Sequence, residues 1–187
     1  MYEIAVIGAG PAGASAALFL AKAGKKTLVV DHDKGLTRRG WYENMYGILE
    51  ISGPELYEIG LKQVEKFGAT LVKEQATNVE RHGDGFTITT ETGSYEAAQV
   101  IFATGLGVDL AQHAGVYTKP GTEPRIATVI EVNSQGKTNI NGIWAAGTVA
   151  GVSVHAVITA GDGAKVAINL ISELNGERYV DHDILKA

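Results

Sequence analysis

The sequence predicts an α/β fold with a parallel β-sheet at its centre, and three observations carry that expectation. Within the first 31 residues an apolar strand, a glycine-rich turn, an alanine-rich helix and a second apolar strand follow one another. Such a βαβ unit has parallel strands and a right-handed crossover in nearly all proteins. Two more apolar segments, residues 99–103 and 143–146, read as further strands of the same sheet. Over 187 residues, 45% are hydrophobic and 20% charged. That balance supports one sizeable core and excludes a disordered chain or a coiled coil.

Taken in order, residues 3–7 form a buried strand, 8–13 a turn, 14–23 a helix stopped by Gly24, and 27–31 the second strand. Residues 32–53 are polar and irregular, too long for an ordinary connection, and mark a functional loop. A helix follows over 54–67, with Pro54 at its first position and Ser52 or Gly53 as cap. Leu56, Ile59, Val64 and Phe67 supply its expected apolar stripe. Short alternating segments at 69–74, 77–81, 86–90 and 94–96, turned at Gly83-Asp84-Gly85 and Thr92-Gly93, predict a small antiparallel meander centred on about 76–97. After the strand at 99–103, residues 106–125 read mostly as loop. A hairpin is expected at 128–133 and a strand ends at Gly147. The last helix runs over about 155–174, with Gly161 and Gly163 embedded and Asn175-Gly176 closing it. Residues 1–187 read as a single domain.

Lys and Arg number 16 against 21 Asp and Glu, a net charge of −5, so no basic field draws in nucleic acid. No apolar run approaches the roughly 20 residues of a membrane span. Met1 leads straight into the first strand without a cationic leader, and a cytoplasmic location is expected. There is no cysteine, which removes disulfides, thiolate nucleophiles and cysteine metal sites together. Redox chemistry would need a bound cofactor. The five histidines show no helical pairing, so no metal site is expected.

The turn Gly8-Ala9-Gly10-Pro11-Ala12-Gly13 fits the G-x-G-x-x-G dinucleotide fingerprint. The first glycine makes the turn, the second admits a pyrophosphate, and the third lets helix and strand pack. It follows a strand, opens a helix, and precedes an acid, Asp31, at the end of the next strand, where an acid binds ribose hydroxyls. Set against this are glycines that only shape a turn and an Asp31 that is only an exposed strand-end acid.

Three further segments carry a resemblance. Glu43-Asn44 through Ile51-Ser52-Gly53-Pro54-Glu55-Leu56, Ala103-Thr104-Gly105, and Gly142 to Gly147 followed by His155-Ala156 and Ala160-Gly161 appear in the order used by the FAD-binding domain of the thioredoxin reductase family. The chain resembles that Rossmann-like domain over nearly its whole length. The resemblance implies non-covalent FAD, with pyrophosphate at Gly10, Pro11, Ala12 and Gly13, adenosine ribose at Asp31, and Gly8 and His32 also among the cofactor-binding residues. It places the flavin and ribityl chain near Leu36, Thr37 and Asn44, and adenine at the Ala76 backbone. Ala103, Thr104 and Gly105 would close over the dinucleotide, and Gly147 and Thr148 would meet the ribityl chain. Backbone N–H groups of His155 and Ala156 would face the flavin, where a helix N-terminus favours the charge gained on reduction.

The departures are informative. The family inserts a second nucleotide domain with a C-x-x-C before the closing motif, whereas here only about 40 residues separate Gly105 from Gly147, without cysteine. Thr148 stands where the family has Asp, and Asp33-Lys34-Gly35 replaces Gly-Gly-Gln. His155 either lends only its backbone or donates a proton. Trp41, Tyr42 and Tyr46 either stack on flavin or bury themselves in the long loop, and Arg38 and Arg39 read as solvated. The expected function is an FAD-dependent oxidoreductase using NAD(P)H or a small substrate. The alternatives are an electron-transfer module completed by a redox partner protein, and a nucleotide-binding protein without flavin. The family also suggests a homodimer.

Overall fold

The computed structural model describes residues 1–185. Strand β1 (Tyr2–Ile7) leads into α1 (Pro11–Lys22), and β2 (Thr27–Val30) follows. The long loop holds a 3-10 turn (Leu36–Arg39) and a two-residue ribbon, β3 (Trp41–Tyr42) against β4 (Ile51–Ser52). It ends in α2 (Gly53–Lys66), where the Ser52 hydroxyl accepts the Glu55 N–H at 3.3 Å. Next come β5 (Thr70–Val72), β6 (Ala76–His82), β7 (Gly85–Thr90) and β8 (Ser94–Phe102). A short α3 (Asp109–His113) and the antiparallel pair β9 (Thr118–Pro120) and β10 (Thr128–Ile130) precede β11 (Ile143–Ala145) and the 20-residue α4 (Ala156–Asn175).

Five strands run parallel in the order β5-β2-β1-β8-β11. Strand β8 lies at the junction. Its inner edge pairs with β1, while its outer edge carries antiparallel β7 from Ser94 to Ala97 and then parallel β11 from Val100 to Phe102. Alternation along β1 feeds two cores. Ile4 and Val6 join α1, α2 and α4 on one face; Ala5 and Ile7 join the meander, α3 and β10 on the other.

The first helix starts at Pro11, three residues earlier than the sequence suggests, because Gly10 already caps it and Pro is suited to the first position. Residues 69–74 do not join the meander: β5 pairs parallel with β2, an arrangement that local alternation does not specify. The segments at 94–96 and 99–103 are one continuous strand, held by partners on both edges. Residues 106–125 contain α3 and β9, and the hairpin partner of β10 is β9, which precedes it. In α2 the buried stripe is Tyr57, Leu61 and Val64, and a Cβ added at Gly60 would meet the Ala14 methyl at 3.4 Å, while Ile59 and Phe67 face solvent. Among the described residues, no helix is long and apolar enough to cross a membrane.

Candidate functional site

The carboxyl ends of the five parallel strands open on one groove of about 520 Å³, and its lining follows the strand order. Glu74 to Ala76 stand beyond β5, Asp31 and His32 beyond β2, Gly8, Gly10, Pro11 and Ala12 beyond β1, Ala103 to Gly107 beyond β8, and Ala146, Thr148, Val154 and Ala156 beyond β11. In an open α/β sheet this crevice, outside the strand ends, is where ligands bind.

Two helix N-termini open into it. Gly10 precedes α1 and His155 precedes α4; neither cap makes a side-chain hydrogen bond, and neither helix has an acid in its first turn. The free N–H groups and positive dipole ends of both helices are therefore available to negative charge. The glycines divide the labour. A Cβ on Gly8, which has φ +102°, would lie 2.4 Å from the Ala103 carbonyl oxygen, and one on Gly13 would lie 1.8 Å from that of Gly8. Both are needed for packing. A Cβ on Gly10 would meet only the Thr37 hydroxyl at 3.5 Å, so the space it leaves belongs to the groove.

Asp31 is buried and heavily used. Its Oδ1 accepts the Ala9 N–H at 2.7 Å, and its Oδ2 accepts the Asp33 N–H at 2.8 Å and the Tyr57 hydroxyl at 2.5 Å. A carboxylate has about four lone-pair sites, so one remains for a ribose hydroxyl. Arg38 secures the same corner. It pairs with Asp33 and Glu58 and lies over the Tyr57 ring at 4.2 Å, which corrects its reading as a solvated residue.

Burial, and then the Asp31 carboxylate, push the Tyr57 phenol above its ordinary value of 10.0. The folded chain keeps a proton there that the unfolded chain loses. The resulting stabilisation is complete below pH 10 and is lost progressively as pH rises past it. Denaturant titrations are expected to show Tyr57→Phe less stable than the parent by about 1.5–3 kcal/mol at pH 7, the range of a hydrogen bond to a charged group. The gap should narrow above pH 10; a gap independent of pH would refute the assignment.

At the other end, Gly147 adopts φ +80° against the Ala12 methyl, and its N–H is held at 2.8 Å by the buried Asp162 of α4, which also pairs with Lys165. Thr148 and Ala156 line the groove. The His155 ring is exposed and outside the lining, with Nδ1 at 2.8 Å from the Ser153 hydroxyl.

Of the residues singled out from sequence, Gly8, Gly10, Pro11, Ala12, Asp31, His32, Leu36, Thr37, Ala76, Ala103, Thr104, Gly105, Thr148 and Ala156 line one surface. Gly13, Asn44, Gly147 and His155 do not. Among the loop aromatics, Tyr42 lines the groove and donates to the Thr37 carbonyl at 3.2 Å, whereas Trp41 and Tyr46 project into solvent. Lys34, Glu74, Gln75, Asp109, Leu110, Val154 and Thr159 also line the groove, although the sequence did not single them out as site residues. Each stands within a few residues of a recognised position, and apart from Lys34, which replaces a family glycine, none lies within a motif. Among the described residues no cluster of His, Cys, Asp or Glu is arranged to hold a metal.

The family model described as pyridine nucleotide-disulphide oxidoreductase matches residues 41–164. The chain belongs to this family. The model of an FAD binding domain matches residues 1–43, so that the two together span the groove from end to end. As a member of the pyridine nucleotide-disulphide oxidoreductase family, the chain is 39% identical over 108 residues to a thioredoxin reductase of Treponema pallidum, covering 56% of this chain and 35% of the relative. It is 36% identical over 115 residues to that of Peptoclostridium acidaminophilum, covering 59% and 36%. The chain thus spans about a third of the length of these curated relatives. Two solved structures share the fold. A thioredoxin reductase from Gloeobacter violaceus superposes with TM-score 0.81 at 18% identity over 99% of both chains. The atypical thioredoxin reductase of Desulfovibrio vulgaris Hildenborough does so with TM-score 0.78 at 22% identity over 95% of this chain and 99% of the other. It is a thioredoxin reductase-like FAD-binding domain.

Proposed function

We propose that this chain is a single-domain oxidoreductase that holds FAD extended along the groove and exchanges electrons with a donor or partner arriving at its open face. The observation that carries the reading is the pair of uncapped helix N-termini opening on one groove, with the empty side of Gly10 between the strand ends and the first of them. The residues present fit the cofactor. The backbone N–H of Ala12 at the α1 N-terminus would hold the pyrophosphate, the remaining lone pair of Asp31 a ribose hydroxyl, and the Ala76 backbone the adenine. Thr148 would meet the ribityl chain, and the N-terminus of α4 would favour negative charge on the ring. When bound, the flavin supplies hydride and single-electron transfer.

The chain has no cysteine to pass electrons to a disulfide, so a dithiol step would draw on residues outside it. The exposed apolar side chains of Leu36, Leu106 and Val154 on the groove's rim favour such a partner as a second reading. A cytoplasmic location and a homodimer complete the proposal.

Absorbance of the purified chain tests it. Flavin bands that bleach anaerobically on adding NADH or NADPH are the expected result for a self-sufficient oxidoreductase. Bands that persist favour the partner-dependent reading, and a colourless protein that fails to take up added FAD overturns both.

A further inference from the structure

We propose that Lys34 is the cation that neutralises the phosphates of the adenine nucleotide, its ammonium group meeting them across the groove from the N-terminus of α1. This rests on the reading of the groove as an adenine dinucleotide site. Four charged side chains line the groove, and three of them, Asp31, Glu74 and Asp109, are acids. Lys34 is the only cation. A dinucleotide adds a negative charge on each phosphoryl group, so without Lys34 the side chains of the groove would oppose the ligand they enclose. Where the family has the uncharged Gly-Gly-Gln, this chain supplies that charge.

The turn that presents Lys34 is fixed by its neighbours. Oδ2 of Asp31 accepts the Asp33 N–H at 2.8 Å, and Nδ1 of His32 accepts the Lys34 N–H at 2.9 Å. Asp33 stands between them at φ +59°, a left-handed conformation that Asp tolerates. The nearest acid in sequence is therefore close at hand, yet Asp33 pairs with Arg38, and among the described residues Lys34 enters no ion pair. Its place along the groove matches the ligand. Lys34 stands midway between Asp31, assigned to the ribose, and Thr37, whose hydroxyl lies 3.5 Å from where a Cβ on Gly10 would be. That span runs from the ribose corner to the mouth of α1, as an adenine nucleotide runs from its ribose to its phosphates. A lysine suits the position, because a point charge on a flexible four-carbon stem pairs with phosphate without a fixed hydrogen-bond geometry.

Calorimetric titration of the full chain, stripped of flavin, with ADP and with FAD tests this in a series of charge variants. At low ionic strength Lys34→Gln is expected to bind both nucleotides roughly fivefold more weakly than the parent, the upper range of an exposed ion pair. Lys34→Glu should lose roughly another fivefold, and Lys34→Arg should stay within about twofold of the parent. The differences should shrink as salt screens the pair, which a loss of packing would not do. Matching melting curves would establish that the variants fold. Affinities that do not follow the charge at position 34, or a loss that salt leaves unchanged, overturn the role of Lys34 while leaving the dinucleotide site intact. Failure of the parent chain to bind either nucleotide removes the site itself and this inference with it.

Discussion

Replacing Gly10 by alanine is expected to weaken FAD binding by roughly 10- to 100-fold while leaving the thermal unfolding temperature unchanged. The effect is one of space. An added methyl at Gly10 meets the Thr37 hydroxyl at 3.5 Å, an ordinary contact, and its backbone, at φ −63°, is open to any residue. What the methyl takes up is the groove in front of the α1 N-terminus, where a pyrophosphate must approach the main chain. Fluorescence titration of the flavin-free protein, paired with a melting curve, measures both quantities. A variant that binds FAD as tightly as the parent would show that the pyrophosphate lies elsewhere.

The opposite behaviour is expected of Gly13→Ala and Gly163→Ala. Their methyls would fall 1.8 Å from the Gly8 carbonyl oxygen and 2.0 Å from that of Ala12, backbone atoms that move only if α1 moves. Overpacking of this kind costs about 3 kcal/mol, or roughly 6–12 °C in a protein of this size. Differential scanning calorimetry would detect it directly. The two positions act on one feature: α1 is wedged between the β1 turn and α4, so both substitutions displace the same helix. Melting temperatures within a degree of the parent would show that this packing yields more easily than the geometry indicates.

The contrast among these glycines explains what was legible in the sequence. The G-x-G-x-x-G turn could be read because its requirements are local: a positive φ at Gly8, a bare side at Gly10, and a close approach at Gly13, all within six residues. The phase of α2 could not. Ile59 and Phe67 look like core residues by hydropathy, but the hydroxyl of Tyr57 reaches Asp31, 26 positions earlier, and turns the helix so that both face water. No window along the chain contains that bond. The fusion of two short segments into β8 has the same origin, since Ala97 is held by Tyr2 on one side and Phe86 on the other. At the site, motif residues were found and Glu74 was not. Its place at the groove follows from the parallel pairing of β5 with β2, not from any pattern of its own segment.

The shared outer edge of β8 also orders the assembly of the chain. Strands β6, β7 and β8 are joined by tight turns and can pair early, as can β1 and β2 around α1. Strand β11 reaches its place beside Phe102 only after the segment carrying α3, β9 and β10 has been brought round, a long loop to close. Since α4 follows β11, its N-terminus reaches the groove in that same late event. The half of the groove beyond Ala103 is thus completed last, and a chain that has formed only its local pairs presents the first anion-binding helix end without the second. Any ligand that spans both ends would recognise the finished fold alone, which makes its binding a direct report that folding is complete.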